Sequence, residues 1–164
     1  MSKDKTFKNK ILEYVYTISK QPMLLRDLLL ANRQCNEGMH VDPAKLGFRL
    51  KLTKAYLVYT AIVIAILLPL SVITHKPLAD IDSHISIIGA VVITAAIFIG
   101  FNFFIASMRD SITKELIKRS WKLHFPYFPY EEYSPKIEEI FSKSLKEEIT
   151  KRDLEKYILD HLTD

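Results

Sequence analysis

The residues best suited to chemistry lie close together near the middle of the chain. His75, Asp80, Asp82 and His84 fall within the segment HKPLADIDSH. Two imidazoles and two carboxylates form a donor set that suits zinc or another divalent cation. Alternatively, these polar side chains keep an exposed turn in water. We favour the exposed turn and expect neither a metal nor a cofactor, so the metal site is the minor alternative.

Motifs of enzymes are absent from the rest of the sequence. It contains no P-loop, no GxGxxG, no GxSxG and no HExxH. Glycine occurs only 4 times in 164 residues, which leaves little material for a loop that cradles phosphate. The lone Cys35 excludes an internal disulfide framework and a cysteine-rich zinc site. The sequence therefore predicts a protein that is not an enzyme.

Two long apolar segments dominate the centre of the chain. Residues 55–74 and residues 85–108 contain no Asp, Glu, Lys, Arg or His. A helix of about 20 residues, rising about 1.5 Å per residue, covers the roughly 30 Å hydrocarbon thickness of a bilayer. We therefore predict an all-α integral membrane protein. Its two transmembrane helices form a hairpin, joined by a short extracytoplasmic turn at residues 75–84.

The basic residues predict the orientation of this hairpin. Eleven of the 23 Lys and Arg residues lie in residues 1–54, another eleven in residues 109–164, and only Lys76 in the turn. The positive-inside rule then places both termini in the cytoplasm. The first 20 residues lack the features of a secretory signal. The pattern resembles the general class of small two-span proteins of the bacterial inner membrane, where we expect this chain to lie.

Side chains within the two apolar segments predict close helix packing. An amide that faces lipid loses its hydrogen bonds, so Asn102 should point at another helix. Ala96 and Gly100 form a pair of small residues four positions apart, which permits close approach of two helices, within the hairpin or between copies. Tyr56 and Tyr59 fit an aromatic belt at the cytoplasmic interface.

The N-terminal flank, residues 1–54, is basic and amphipathic. It holds eleven basic and five acidic residues. We expect short helices that either bind anionic lipid at the membrane surface or pack on the C-terminal flank, and both interpretations remain open. Asp42 and Pro43 predict the start of a helix that continues into the first apolar segment. Nucleic acid is not an expected partner.

The C-terminal flank, residues 109–164, should begin with a helical extension of the second apolar segment. Pro and aromatic residues at 125–135 predict a stiff, extended linker. Hydrophobic spacing then predicts a pair of amphipathic helices at 136–149 and 154–162. We expect partner docking within this flank through five aromatic residues: Tyr127, Tyr130, Tyr133, Phe141 and Tyr157.

These patterns favour a scaffold or accessory subunit that presents cytoplasmic helices to a membrane complex. We expect the chain to form a homo-oligomer or to be a subunit of a larger assembly. One alternative is an oligomeric pore or transport component. A second alternative is a membrane-bound metalloprotein that uses the His and Asp residues of the outer turn.

Overall fold

The computed structural model describes the backbone of residues 3–79 and 83–163, and the side chains of residues 7–74 and 87–162. This part of the chain is mostly helical, with six helices and one short two-stranded sheet. The elements in chain order are α1 (Lys3–Val15), β1 (Tyr16–Ile18), α2 (Leu25–Asn36), β2 (Phe48–Leu50), α3 (Leu52–Ala79), α4 (Ser83–His124), α5 (Tyr130–Lys146) and α6 (Leu154–Thr163).

The chain divides into two compact units. The first unit comprises Met1–Thr17 and Leu50–Asp110, and the second comprises Ile18–Arg49 and Ser111–Asp164. Each unit is therefore built from two separate stretches of the sequence. The first unit contains α1, α3 and the apolar part of α4, and the second contains α2, the C-terminal part of α4, α5 and α6.

Helices α3 and α4 are each long and apolar enough to cross a membrane. The stretches that meet this requirement are Leu52–Thr74 and Ile87–His124, and in the most apolar part of each no residue is buried. A core helix of a soluble protein would cover such side chains with other parts of the fold. The predicted pair of long apolar helices is thus present. The side chains in the most apolar part of each helix are not buried by other parts of the described chain.

In the first unit, α1 packs against the beginning of α3. Leu12 and Val15 of α1 are buried, as is Ala55 of α3. The backbone N–H of Lys51 donates to the Val15 carbonyl oxygen at 2.8 Å. The end of α1 is therefore fixed at the first turn of α3.

The sequence predicted that the helix leading into the first apolar segment begins at Pro43, but α3 begins at Leu52. The Asp42 carboxylate accepts a hydrogen bond from the Ala44 N–H at 2.9 Å within a turn. Gly47 follows with a φ of +66°, and a Cβ there would lie 2.9 Å from the Cβ of Ser19. A positive φ favours glycine and stops a right-handed helix. The strand β2 then pairs with β1, so the chain has a small sheet in addition to the predicted helices.

In the second unit, the C-terminal part of α4 contributes one continuous buried stripe. Its buried residues are Ile112, Thr113, Leu116, Ile117, Ser120 and Trp121. This spacing of three to four residues puts them on one side of the helix. The indole Nε1–H of Trp121 donates to the Phe128 carbonyl oxygen at 2.8 Å, and the Phe125 ring lies 4.8 Å from the Trp121 ring. Trp121 thus anchors the turn that follows α4.

Helix α5 begins earlier than the sequence predicted. The expected extended linker reached Pro135, whereas α5 starts at Tyr130 and contains Pro135. Pro129 precedes the first helical residue, where its fixed φ is compatible with helix initiation. Pro135 costs the helix one backbone hydrogen bond near its N-terminal end. The second unit of the structure therefore has a compact turn where an extended segment was expected.

Candidate functional site

Gly100 of α4 and Tyr59 of α3 make a close contact between these two helices. A Cβ at Gly100 would lie 2.5 Å from the Tyr59 hydroxyl oxygen. That hydroxyl donates to the backbone carbonyl oxygen of Ile97 at 2.6 Å. The Phe101 ring packs edge-on against Tyr59 at 5.3 Å and stacks on Tyr56 at 4.2 Å. Gly100 thus leaves space for Tyr59 of α3, whose hydroxyl donates a hydrogen bond to the backbone of α4.

The contact between Gly100 and Tyr59 could have been predicted from the positions of these two residues in the sequence. In an antiparallel hairpin, residues equally distant from the turn lie side by side. The middle of residues 75–84 is about 20 residues from both Tyr59 and Gly100. A large side chain at one of these positions therefore requires a small residue at the other. Tyr59 lies between the helices, a more specific location than the interfacial belt expected for it.

Ala96 and Asn102 do not take part in this contact. Both residues are exposed. Within the described part of the chain, the Asn102 side chain has no hydrogen-bond partner. The side chain of Thr94, another polar group on α4, donates to the Ala90 carbonyl oxygen of its own helix at 2.8 Å. The structure therefore leaves Asn102 as an exposed amide on an apolar helix.

The predicted docking aromatics divide into exposed and structural residues. Tyr127 is 88% exposed, but Phe141 is only 1% exposed and belongs to the core. Phe141 lies on the apolar face that α5 uses for its own packing, so it is not a surface residue. The hydroxyl of Tyr157 donates to the Glu147 carboxylate at 2.9 Å. The Tyr133 ring packs edge-on against Phe128 at 5.0 Å.

Tyr130 belongs to a buried polar cluster that joins α2 to α5. Its hydroxyl donates to the Asn32 Oδ1 atom at 2.8 Å, and the Asn32 Nδ2 atom donates to the Ser134 Oγ atom at 3.1 Å. Burial raises the pKa of Tyr130, so its hydroxyl keeps the proton that it donates. Asn36 adds a second link by donating to Glu138 at 2.7 Å. This cluster has satisfied hydrogen bonds and fastens two helices together.

Sequence reasoning missed the Asn32 cluster because its partners lie 98 and 102 residues apart in the chain. An asparagine within LLLANRQ gives no local indication that it is buried. The sequence indicated burial of Asn32 only indirectly, because the residues that precede it are apolar. Leu28, Leu29 and Ala31 are buried together with it. Asn32 lies on the same face of α2 as two of these residues, so burial of that face includes it.

One exposed apolar surface of the second unit lies near the end of α4. It consists of Leu24, Leu123 and Tyr127, all largely exposed. The imidazole Nε2 atom of His124 lies 2.8 Å from the Met23 carbonyl oxygen, which brings the start of α2 to the end of α4. Tyr127 is therefore the member of the predicted docking set that remains available to a partner.

The outer cluster of His75, Asp80, Asp82 and His84 lies outside the residues whose side chains are described. Among the described residues, no group of three or more His, Cys, Asp or Glu side chains could hold a metal ion. Comparisons with protein-family models, curated proteins and solved structures find no match. The fold thus defines a mostly helical protein with two helices long and apolar enough to span a membrane.

Proposed function

We propose that α3 and α4 insert into a bilayer as a hairpin and that the second unit is a folded cytoplasmic module. The observation that carries this proposal is the contrast between the units. The most apolar part of each of α3 and α4 has no buried residue, whereas the second unit buries large side chains such as Trp121, Phe125 and Ile158. Apolar helix surface on this scale is stable in lipid and unstable in water.

The proposed location is the bacterial inner membrane, with both termini in the cytoplasm. The distribution of basic residues supports this orientation, since residues 75–84 between the two apolar segments contain a single lysine, Lys76. Backbone groups within lipid need internal hydrogen bonds, and uninterrupted helices provide them. Residues 75–84, which include the end of α3 and the start of α4, would then face the opposite side of the membrane.

The proposed role is that of a scaffold or accessory subunit. The module's central polar cluster, formed by Asn32, Tyr130 and Ser134, is engaged in mutual hydrogen bonds. Such an arrangement supports rigidity more than reactivity. The exposed surface of Leu24, Leu123 and Tyr127 is the proposed contact for a protein partner. Apolar and aromatic side chains of this kind contribute strongly to protein interfaces.

Cysteine labelling tests the proposed insertion and orientation. In a Cys35→Ser background, Lys76→Cys should react with a membrane-impermeant maleimide added outside intact cells. Tyr127→Cys should react only after the membrane is opened, because we place the second unit inside. The protein should also stay with the membranes during a carbonate wash. Labelling of Tyr127→Cys in intact cells, or release by carbonate, would refute the proposed topology.

The exposed amide of Asn102 supports a contact between two copies within the membrane. A primary amide both donates and accepts, so two copies of Asn102 can satisfy each other in lipid. Asn102→Leu should raise the dissociation constant of the dimer about 3- to 20-fold, the range for about 0.6–1.7 kcal/mol. Energy transfer between labelled copies in bilayers measures this change.

Thr94→Val is the matched control for Asn102→Leu. Thr94 is also exposed on α4, but its hydroxyl already has a partner in its own helix. Its removal should leave the dissociation constant unchanged. Equal self-association of the parent protein and Asn102→Leu would remove Asn102 from the interface.

A further inference from the structure

One side of α1 carries an aromatic surface that the first unit does not cover. Phe7 is 68% exposed and Tyr14 is 45% exposed. The two residues are seven positions apart, which places them on one face of a helix. Leu12 and Val15 point elsewhere and are buried. Helix α1 therefore uses one face for packing and leaves an aromatic face available.

The structure fixes this aromatic face at the beginning of α3. The Lys51 N–H bonds to the Val15 carbonyl oxygen at 2.8 Å, and the Lys54 ammonium lies 4.4 Å from the centre of the Tyr14 ring. The apolar stretch of α3 begins at Leu52. If α3 spans a bilayer, as proposed above, α1 lies at the level where hydrocarbon meets the headgroups.

The surroundings of the aromatic face are basic. Residues 7–15 and 50–54 contain four lysines, at positions 8, 10, 51 and 54, against a single acid, Glu13. Lys8 and Lys10 are exposed on α1. Basic residues beside a membrane helix attract anionic headgroups, and exposed aromatic rings partition into the interface. Charge and position together match an anionic leaflet.

We propose that the Phe7 and Tyr14 face of α1 binds the headgroup layer of an anionic phospholipid leaflet. Phe7 inserts at the boundary between headgroups and hydrocarbon. Lys8 and Lys10 bind phosphate-containing headgroups, and Lys54 holds Tyr14 by a cation–π contact. This inference rests on the proposed membrane insertion. It adds a lipid preference to the anchor, because a hairpin alone inserts into neutral and anionic bilayers alike.

Hydrogen exchange of the full chain in nanodiscs tests the lipid preference. One set of nanodiscs contains phosphatidylcholine alone, and the other contains about 30% phosphatidylglycerol. Anionic lipid should slow exchange of the α1 amides about tenfold or more. Exchange in the second unit, monitored at α5, should not change.

Two charge-reversal variants separate binding by α1 from a general effect of charge. Lys8→Glu with Lys10→Glu should abolish the extra protection of α1 while leaving α5 protected. Lys151→Glu with Arg152→Glu alters two exposed basic residues of the second unit. This variant should retain the extra protection of α1. Equal α1 exchange in both lipids, or equal loss in both variants, would overturn the lipid preference while leaving insertion intact. Failure of the chain to enter either nanodisc would overturn both proposals.

Discussion

Trp121→Ala should lower the free energy of unfolding of the second unit by about 3–5 kcal/mol. Trp121 is 1% exposed. Its ring lies 4.8 Å from Phe125 and meets Tyr130 edge-on at 5.1 Å. Alanine leaves a cavity among these rings and removes the donor that bonds to the Phe128 carbonyl oxygen. Loss of packing and loss of a part-buried hydrogen bond therefore act at the same place.

Pulse proteolysis of the full chain in mild detergent with added urea measures this effect. For a slope of about 1–3 kcal/mol per molar urea, the midpoint for cleavage within the second unit should fall by at least about 1 M. Leu123→Ala provides the control, since Leu123 lies on the same helix but is 66% exposed. That variant should shift the midpoint little. Similar midpoints for the parent and Trp121→Ala would contradict the central role of Trp121.

Gly100→Leu should separate α3 from α4 at a cost of about 2–4 kcal/mol, combining overpacking with a lost hydrogen bond. Even a single Cβ would lie 2.5 Å from the Tyr59 hydroxyl oxygen. Tyr59 must then move away, and its bond to the Ile97 carbonyl oxygen breaks. The movement also disturbs the ring contact between Tyr59 and Phe101.

Distances between spin labels on α3 and α4 report this separation. Labels at Leu57 and Phe103, both exposed positions, should give a narrow distance distribution in the parent protein and a broad one in Gly100→Leu. Gly89→Leu is the matched control, because a Cβ at Gly89 meets no atom within 4 Å. A narrow distribution in Gly100→Leu would show that this glycine is not required for the contact.

The long helices could be predicted because their causes are local. Absence of charge over residues 55–74 and 85–108 is sufficient to indicate two apolar helices. No proline or glycine occurs between Phe101 and His124, and α4 is continuous over that stretch. The amphipathic pattern of α5 and α6 likewise follows from spacing within each segment. In these elements, neighbouring residues determine the structure.

The small sheet and the turn before α5 depend on distant contacts. Strand β1 ends at Ile18 and pairs with β2, which begins 30 residues later at Phe48. Three-residue strands give almost no periodic signal of their own. Pro129 and Pro135 suggested an extended linker. Instead, the chain forms a turn before α5, and the Trp121 indole N–H stabilises this turn by donating a hydrogen bond to the Phe128 carbonyl oxygen. Tertiary contacts thus override the local preference there.

The candidate contacts were predictable to different degrees. Gly100 stood out as a small residue, while its partner Tyr59 follows only from the geometry of a hairpin. Phe141 was expected to bind a partner, yet its helix uses the same apolar face for the core. An apolar stripe in the sequence indicates burial without indicating what covers it. That choice depends on how many other helices the same chain can supply.

The placement of Trp121 gives the protein a natural optical reporter. It is the sole tryptophan in the chain, and it is buried in the second unit. Indole emission shifts toward longer wavelength when water reaches the ring. Intrinsic fluorescence of this indole therefore follows the opening of the second unit.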